Sequence, residues 1–203
     1  GDGKTKINVG SFTTMFYWGW TNVDIADLSA WASGNGYAYV RTDATKGLPF
    51  QTGTVDLLFM HHVLEHFDYA AGLNLLRELR RIVKRDGAMR IAVPDLKFLI
   101  SKYEPIEEQD MWSSLSEFGE INDGCEQAPT DAMRLHSILQ GSDHRAFYDR
   151  ETLFHQLDQA GWVASEASFR STKVERVKQI LKETSEMSFG GVSLFVDAVP
   201  KLG

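Results

Sequence analysis

The chain has 203 residues, which suits one sizeable α/β domain and is short for two. Its composition, 43% hydrophobic and 24% charged, is that of an ordinary globular protein, and its formal net charge of -7 argues against a nucleic-acid partner. The single cysteine, Cys125, excludes an internal disulfide and fits a reducing, cytoplasmic location, and no apolar run reaches the roughly 20 residues of a membrane span.

Five short apolar runs in the first half predict the strands of a sheet. They are Lys6–Gly10, Thr21–Ile25, Ala38–Arg41, Val55–Met60 and Ala88–Val93. Between the last two, leucines at helical spacing predict a helix that Asp68 caps and Gly87 ends. Strands that alternate with a helix of this length indicate βαβ units.

The second half is predicted to contain more helices and two further strands. Helices are predicted at Asp95–Tyr103, Gln109–Phe118, Thr130–Leu139, Asp149–Ala160 and Val174–Glu183, and strands at Trp162–Ser168 and Val192–Val199. Residues 104–148 form a predicted lid-like helical insertion after the fifth strand. We therefore expect a single α/β domain over residues 1–203, with a doubly wound, mostly parallel, seven-stranded Rossmann-like sheet and helices on both faces.

The run "HVLEH" from His62 to His66 has the spacing of one class of zinc peptidases. In those enzymes both histidines lie on one long helix, four residues apart, and face one metal. Here His62 directly follows a buried strand, and the helix begins only near Asp68. We therefore interpret the run as a strand-to-helix turn and expect no metal site.

The motifs, in their order along the chain, resemble those of class I S-adenosylmethionine-dependent methyltransferases. "DATKGLPFQTGTVDLLFMHHVLEHF" is similar to that family's Asp, Leu-Pro-Phe, fourth strand and HVLEH segment. "LRELRRIVKRDGAMRIAVPD" resembles its following helix, turn and fifth strand, and "HRAFYDRETLFHQLDQAGW" its C-terminal helix. "INVGSFTTMFYWGWTNVDI" resembles a subgroup with a shortened first connection.

The resemblance implies S-adenosylmethionine as the cofactor. It implies that Asp24 accepts the two ribose hydroxyls, while Asp43 and the Ala44 N–H pair with adenine; each aspartate has a turn or capping role as its structural alternative. The other residues predicted to contact the cofactor are Asn8, Gly10, Ser11, Ile25, Met60 and His61. A general base is needed only when the nucleophile starts protonated, and His61 and His144 are the candidates.

The first motif departs from the family pattern, which is acidic-x-Gly-x-Gly-x-Gly. Only Gly10 is kept, Asn8 replaces the acidic residue, and Phe12 stands where the cofactor should pass. Either the loop bulges outward with Phe12 turned into the core and the cofactor still binds, or the ring fills the adenosyl position. The second outcome would make the protein a non-catalytic binding or scaffold module.

We predict a methyltransferase that acts on a small-molecule or sugar-containing acceptor such as a glycan. The acidic residues of the insertion, among them Glu104, Glu107, Glu108 and Asp110, disfavour a polyanionic substrate. The sequence does not predict the oligomeric state, and a homodimer is one of the alternatives.

Overall fold

One sheet of seven strands organises the molecule, in the order β3-β2-β1-β4-β5-β7-β6. The computed structural model describes residues 2–101, 130, 132, 135, 136, 139, 143–186 and 192–202. The strands are β1 Lys6–Val9, β2 Thr21–Asp24, β3 Ala38–Arg41, β4 Val55–His61, β5 Val83–Pro94, β6 Trp162–Ala167 and β7 Ser193–Pro200. Strands β1 to β5 pair in parallel, whereas β7 runs antiparallel to both β5 and β6. The predicted seven-stranded, mostly parallel sheet is confirmed.

Five helices are described around this sheet. They are α1 Ser29–Gly34, α2 Tyr69–Ile82, α3 Leu96–Ser101, α4 Arg150–Gln159 and α5 Val177–Glu183. Asp68 caps α2 by accepting from Ala71 N at 2.8 Å, and Asp149 caps α4 by accepting from Thr152 N at 2.8 Å. Within the described residues, no helix has both the length and the apolar character needed to cross a membrane.

The boundary between α2 and β5 differs from the prediction. The helix ends at Ile82 rather than at Gly87, because Val83 has extended backbone (φ -74°, ψ 142°) and already pairs with Val55 of β4. Lys84, which a helix ending at Gly87 would have included, instead lies in β5 and forms an ion pair with Asp56 at 2.8 Å. The predicted helix Gln109–Phe118 and most of Thr130–Leu139 lie outside the described residues.

The two faces of the sheet bury different side chains, because alternate residues of a strand point to opposite faces. In β4, Leu58 and Met60 belong to the larger core cluster, which also takes in the apolar face of α2. Leu57 and Phe59 belong to a second cluster that includes α5. The helices therefore cover both faces of the sheet.

A buried arginine in β5 joins several segments of the chain. The Arg90 side chain is fully buried, with Nη1 2.8 Å from Asp197 Oδ1 and Nε donating to Glu186 Oε1. Nη2 donates to the Ser168 carbonyl at 2.7 Å, and the guanidinium lies 4.9 Å from the centroid of the Phe195 ring. Its two carboxylate partners are also buried, so Arg90 compensates two charges that water does not reach.

Candidate functional site

A cavity of about 420 Å³ opens at the carboxyl ends of the central strands. The strand order reverses between β1 and β4, the position where open α/β sheets bind ligands. The volume lies within the usual range of small-molecule sites. The lining residues are Val9, Gly10, Phe12, Val23, Asp24, Ile25, Thr42, Asp43, Ala44, His62, Val63, His66 and Phe67.

Gly10 lies where the loop after β1 approaches the turn after β4. Its φ is +70°, and its N–H donates to the Val23 carbonyl at 2.8 Å. A Cβ at this position would lie 2.2 Å from Cγ2 of Val63. Both the backbone conformation and the close approach therefore require glycine.

Gly10→Ala is expected to destabilise the protein by at least about 1–2 kcal/mol from the positive φ alone. The clash with Val63 adds to that cost and pushes the two walls of the cavity apart. Urea unfolding of Gly10→Ala, Val63→Ala and the double variant measures both contributions. The double variant should recover part of the loss, because Val63→Ala removes the two nearest methyl groups; full additivity of the two single changes would contradict the clash.

Phe12 does not turn into the core, as one of the two predicted arrangements required. Its side chain is 59% exposed at the rim of the cavity, so it is not turned into the core, and the cavity remains open beside it. Its φ of +35° is unusual for a bulky residue. The N–H of Phe12 donates to Oδ2 of Asp24 at 2.8 Å, which helps to hold this conformation.

The carboxylate of Asp24 is fixed at the end of β2 by two backbone donors. Oδ2 accepts from Phe12 N, and Oδ1 accepts from Ala26 N at 3.0 Å. A carboxylate has about four acceptor sites, so each oxygen can still accept a further hydrogen bond. Asp24 can therefore receive the two hydroxyls of a ribose without releasing the loop.

Asp43 combines the capping role with a place in the cavity wall. Oδ1 accepts from the N–H and the hydroxyl of Thr45, and Lys46 Nζ lies 3.1 Å from Oδ2. The Thr45 hydroxyl and then Lys46 hold the pKa of Asp43 below its ordinary value, so it is a carboxylate at neutral pH. The neighbouring Ala44 N–H has no hydrogen-bond partner among the described residues and remains available to a ligand.

The structure brings five of the predicted cofactor contacts together around the cavity. These are Gly10, Asp24, Ile25, Asp43 and Ala44. The other four, Asn8, Ser11, Met60 and His61, are buried and are not among its lining residues.

Two of those four have a clear structural environment. Asn8 Nδ2 donates to Met15 O at 2.6 Å and to Asn22 Oδ1 at 3.0 Å, so its side chain links the loop after β1 to β2. The His61 ring, a candidate base, packs 5.8 Å from Phe59 and 6.1 Å from Phe195, centroid to centroid.

Sequence reasoning missed several lining residues. Val9, Val23 and Thr42 are close to predicted strand ends, and that position could have indicated them. Val63 lies in the HVLEH turn, a segment that lines the cofactor pocket in the family that the sequence resembles, so the resemblance indicated it. Phe67 follows that turn, and no local pattern indicated it.

The HVLEH segment is a strand-to-helix turn, as predicted. His62 follows β4 with φ +54°, and Leu64–His66 form a short 3-10 helix before α2. Nδ1 of His62 lies 3.3 Å from Oε1 of Glu65, and Nε2 lies 2.8 Å from Ser193 Oγ. Burial lowers the pKa of His62 to about 3 and raises the pKa of the fully buried Glu65 to about 7.

His144, the second candidate base, lies on the other side of this turn. Its ring centroid is 5.1 Å from that of His66, and it lines a small crevice together with Glu65. It is therefore close to His66, which lines the cavity.

The strand order and the antiparallel β7 define a Rossmann-like fold of the kind found in class I methyltransferases. Residues 11–91 match the family model described as "Methyltransferase domain". This match and the solved structures confirm the resemblance drawn from the sequence, and a domain of this kind implies S-adenosylmethionine as its cofactor. No curated protein matches the chain.

Several solved structures share the fold. A putative methyltransferase of Haloferax volcanii, in complex with the Trm112 methyltransferase activator, has a TM-score of 0.60 at 12% identity over 98% of this chain and 84% of its own. A Thermotoga maritima S-adenosylmethionine-dependent methyltransferase, described as a possible histamine N-methyltransferase, has a TM-score of 0.55 at 15% identity. The match covers 97% of this chain and 82% of that protein. DhpI, solved as a complex with SAH, has a TM-score of 0.54 at 13% identity, and the match covers 98% of this chain and 78% of DhpI. Likeness at such identity establishes the fold.

Proposed function

We propose that the protein transfers a methyl group from S-adenosylmethionine to a small-molecule or sugar-containing acceptor. The observation that carries the proposal is the open cavity of about 420 Å³, with Asp24 and Asp43 in its wall, beside a degenerate glycine loop. The Phe12 ring is 59% exposed and leaves this cavity open, which supports the enzyme over the scaffold alternative.

The family resemblance, together with the cavity wall, supports these roles for the chain's own residues. Asp24 would bind the ribose hydroxyls, while Asp43 and the Ala44 N–H would hold the adenine edge. Gly10 lets the backbone pass close to the ligand. When bound, the cofactor supplies a methyl group on a sulfonium, which a nucleophile takes by in-line displacement. The protein's contribution is then chiefly to position the reactants and to exclude water.

The acceptor side is proposed from charge and from the neighbouring crevice. The net charge of -7 and the acidic residues Glu104 to Asp110 disfavour a polyanion. The crevice beside the cavity is small and is lined mainly by apolar side chains, including Leu96 and Leu99, with His144 at its edge. The charge supports an acceptor that is not a polyanion, whereas the crevice, with room for about one water (about 10 Å³), supplies only neighbouring contacts. His61 and His144 stay predictions as bases.

Calorimetric titration of the purified protein with S-adenosylmethionine and S-adenosylhomocysteine tests the proposal. We expect both ligands to bind with micromolar affinity, in the usual range for an enzyme's substrates. NAD, which offers ribose and adenine without the methionine portion, is the matched control ligand and should bind more weakly. Absence of binding at millimolar ligand would overturn the enzyme proposal in favour of the scaffold alternative. If binding is found, transfer of a labelled methyl group to hydroxyl compounds and free sugars tests the acceptor class.

A further inference from the structure

Three side chains that can bind metals converge beside the cofactor cavity, and we call them the Glu65 cluster: Glu65, His66 and His144. One ligand atom of each lies within 4.8 Å of the others. Glu65 and His66 belong to the 3-10 helix after β4, whereas His144 comes from the segment that leads into α4. The cluster therefore joins residues that are far apart in the sequence.

Backbone hydrogen bonds place His144 at this position. The N–H groups of Arg145 and Ala146 both donate to the Glu65 carbonyl, at 2.8 and 3.1 Å. The segment that carries His144 is thus attached directly to the turn that carries the other two ligands. The approach of this backbone segment to the turn therefore follows from the fold.

The Glu65 carboxyl is buried in a place where a bound cation would stabilise its charged form. The residue is 1% exposed, and within the described residues neither carboxylate oxygen accepts a hydrogen bond; the nearest polar group in an ion-pair contact is His62 Nδ1, 3.3 Å from Oε1. Buried polar oxygens without partners are rare, because losing water costs free energy that no other contact restores. A metal ion bound by these oxygens would offset that cost.

His62 lies where residues that support a metal ligand are usually found. Its Nδ1 is 3.3 Å from Oε1 of Glu65, and its Nε2 is 2.8 Å from Ser193 Oγ. Metal-binding carboxylates and histidines are commonly oriented by such outer contacts. Through His62, the carboxylate of Glu65 is connected to the start of β7.

We propose that Glu65, His66 and His144 form a binding site for a divalent transition-metal ion of the zinc type. Two imidazoles and one carboxylate are the donor set of zinc sites that keep one coordination position open. Imidazole donors favour Zn²⁺ and its neighbours over Mg²⁺ and Ca²⁺. Donor atoms of a tetrahedral zinc site lie roughly 3.3 Å apart, so side-chain rotation has to draw the three groups together. This inference departs from the expectation of no metal site, which considered only the pair His62 and His66.

The position of the site suggests what the open coordination position would do. His66 lines the cofactor cavity, while Glu65 and His144 line the neighbouring crevice. A bound ion would lie on the border between them and could bind an oxygen atom of the methyl acceptor. This role rests on the proposed function, whereas binding of the metal does not.

The test is titration of the chelator-treated full chain with Zn²⁺ by calorimetry, and with Co²⁺ by absorption spectroscopy. We expect one ion per chain and, for Co²⁺, the visible bands of a low-coordinate site. His144→Ala and Glu65→Gln should each weaken the affinity by about tenfold or more. His155→Ala, which removes an exposed histidine of α4, is the matched control and should leave the affinity unchanged. Circular dichroism confirms that each variant is folded.

Three results would overturn the proposal: no saturable Zn²⁺ binding, binding that survives His144→Ala, or binding that His155→Ala abolishes. Binding of S-adenosylmethionine is measured separately on the same samples. A protein that binds the cofactor but no metal refutes the metal site alone. A protein that binds metal but no cofactor refutes the proposed function alone.

Discussion

Arg90→Ala is expected to lower the free energy of unfolding by about 3–5 kcal/mol, because it leaves two buried carboxylates without their cation. Asp197 and Glu186 are 1% and 6% exposed, so water cannot replace the guanidinium. The variant also loses the hydrogen bond to the Ser168 carbonyl and the contact with the Phe195 ring. For a domain of this size such a loss is a large part of the total stability.

Urea unfolding followed by circular dichroism measures this effect, with Arg150→Ala as the matched control. The ion pair between Arg150 and Glu166 is more than half exposed on both sides, so its loss should cost no more than about 1 kcal/mol. Equal effects of the two substitutions would show that burial does not determine the contribution of Arg90. The triple variant Arg90→Met, Asp197→Asn, Glu186→Gln should be more stable than Arg90→Ala, since it removes the buried charges together.

Asp24→Ala is expected to weaken binding of S-adenosylmethionine by about a hundredfold, which corresponds to roughly 3 kcal/mol for two hydrogen bonds to a charged acceptor. The same substitution releases the Phe12 N–H, so the loop after β1 also loses an anchor. Calorimetry with S-adenosylhomocysteine should show a similar loss, because both ligands contain the ribose.

Two further variants separate the contributions of Asp24. Asp27→Ala removes an exposed carboxylate three residues away, which pairs with Arg41, and should leave the affinity unchanged. Phe12→Gly keeps the N–H donor to Asp24 and suits the positive φ, so it should preserve binding. If Phe12→Gly abolished binding while Asp24→Ala retained it, the ring and not the carboxylate would be the main contact.

The sheet could be predicted from the sequence because its strands are short apolar runs that end in turn residues. Val55–Met60 is apolar at nearly every position since both faces of β4 are covered, and the structure extends it only to His61. The start of β5 could not be predicted, because Val83 to Gly87 carries charged residues and glycine. Its strand conformation depends on pairing with Val55, a contact that the local pattern does not contain.

Some features of the candidate site could likewise be predicted from the sequence, and others could not. Asp24 and Asp43 could be placed in it because the carboxyl ends of parallel strands meet at one edge of a sheet. The positive φ of Phe12 could not be predicted, since a bulky residue rarely adopts it without help from the fold. His144 was expected near the cavity, but its approach to Glu65 depends on backbone hydrogen bonds between distant segments.

The position of β7 has a consequence for how the sheet is completed during synthesis. This strand comes last in the described chain but lies between β5 and β6, and β6 has no other neighbour in the sheet. At a translation rate of about 5–20 residues per second, β6 therefore spends seconds outside the ribosome without its partner. Over the same interval, the edge of β5 with Ile91 and Val93 stays open to pairing with other chains. The nascent protein thus passes through a period in which two strand edges lack the partner that later joins them.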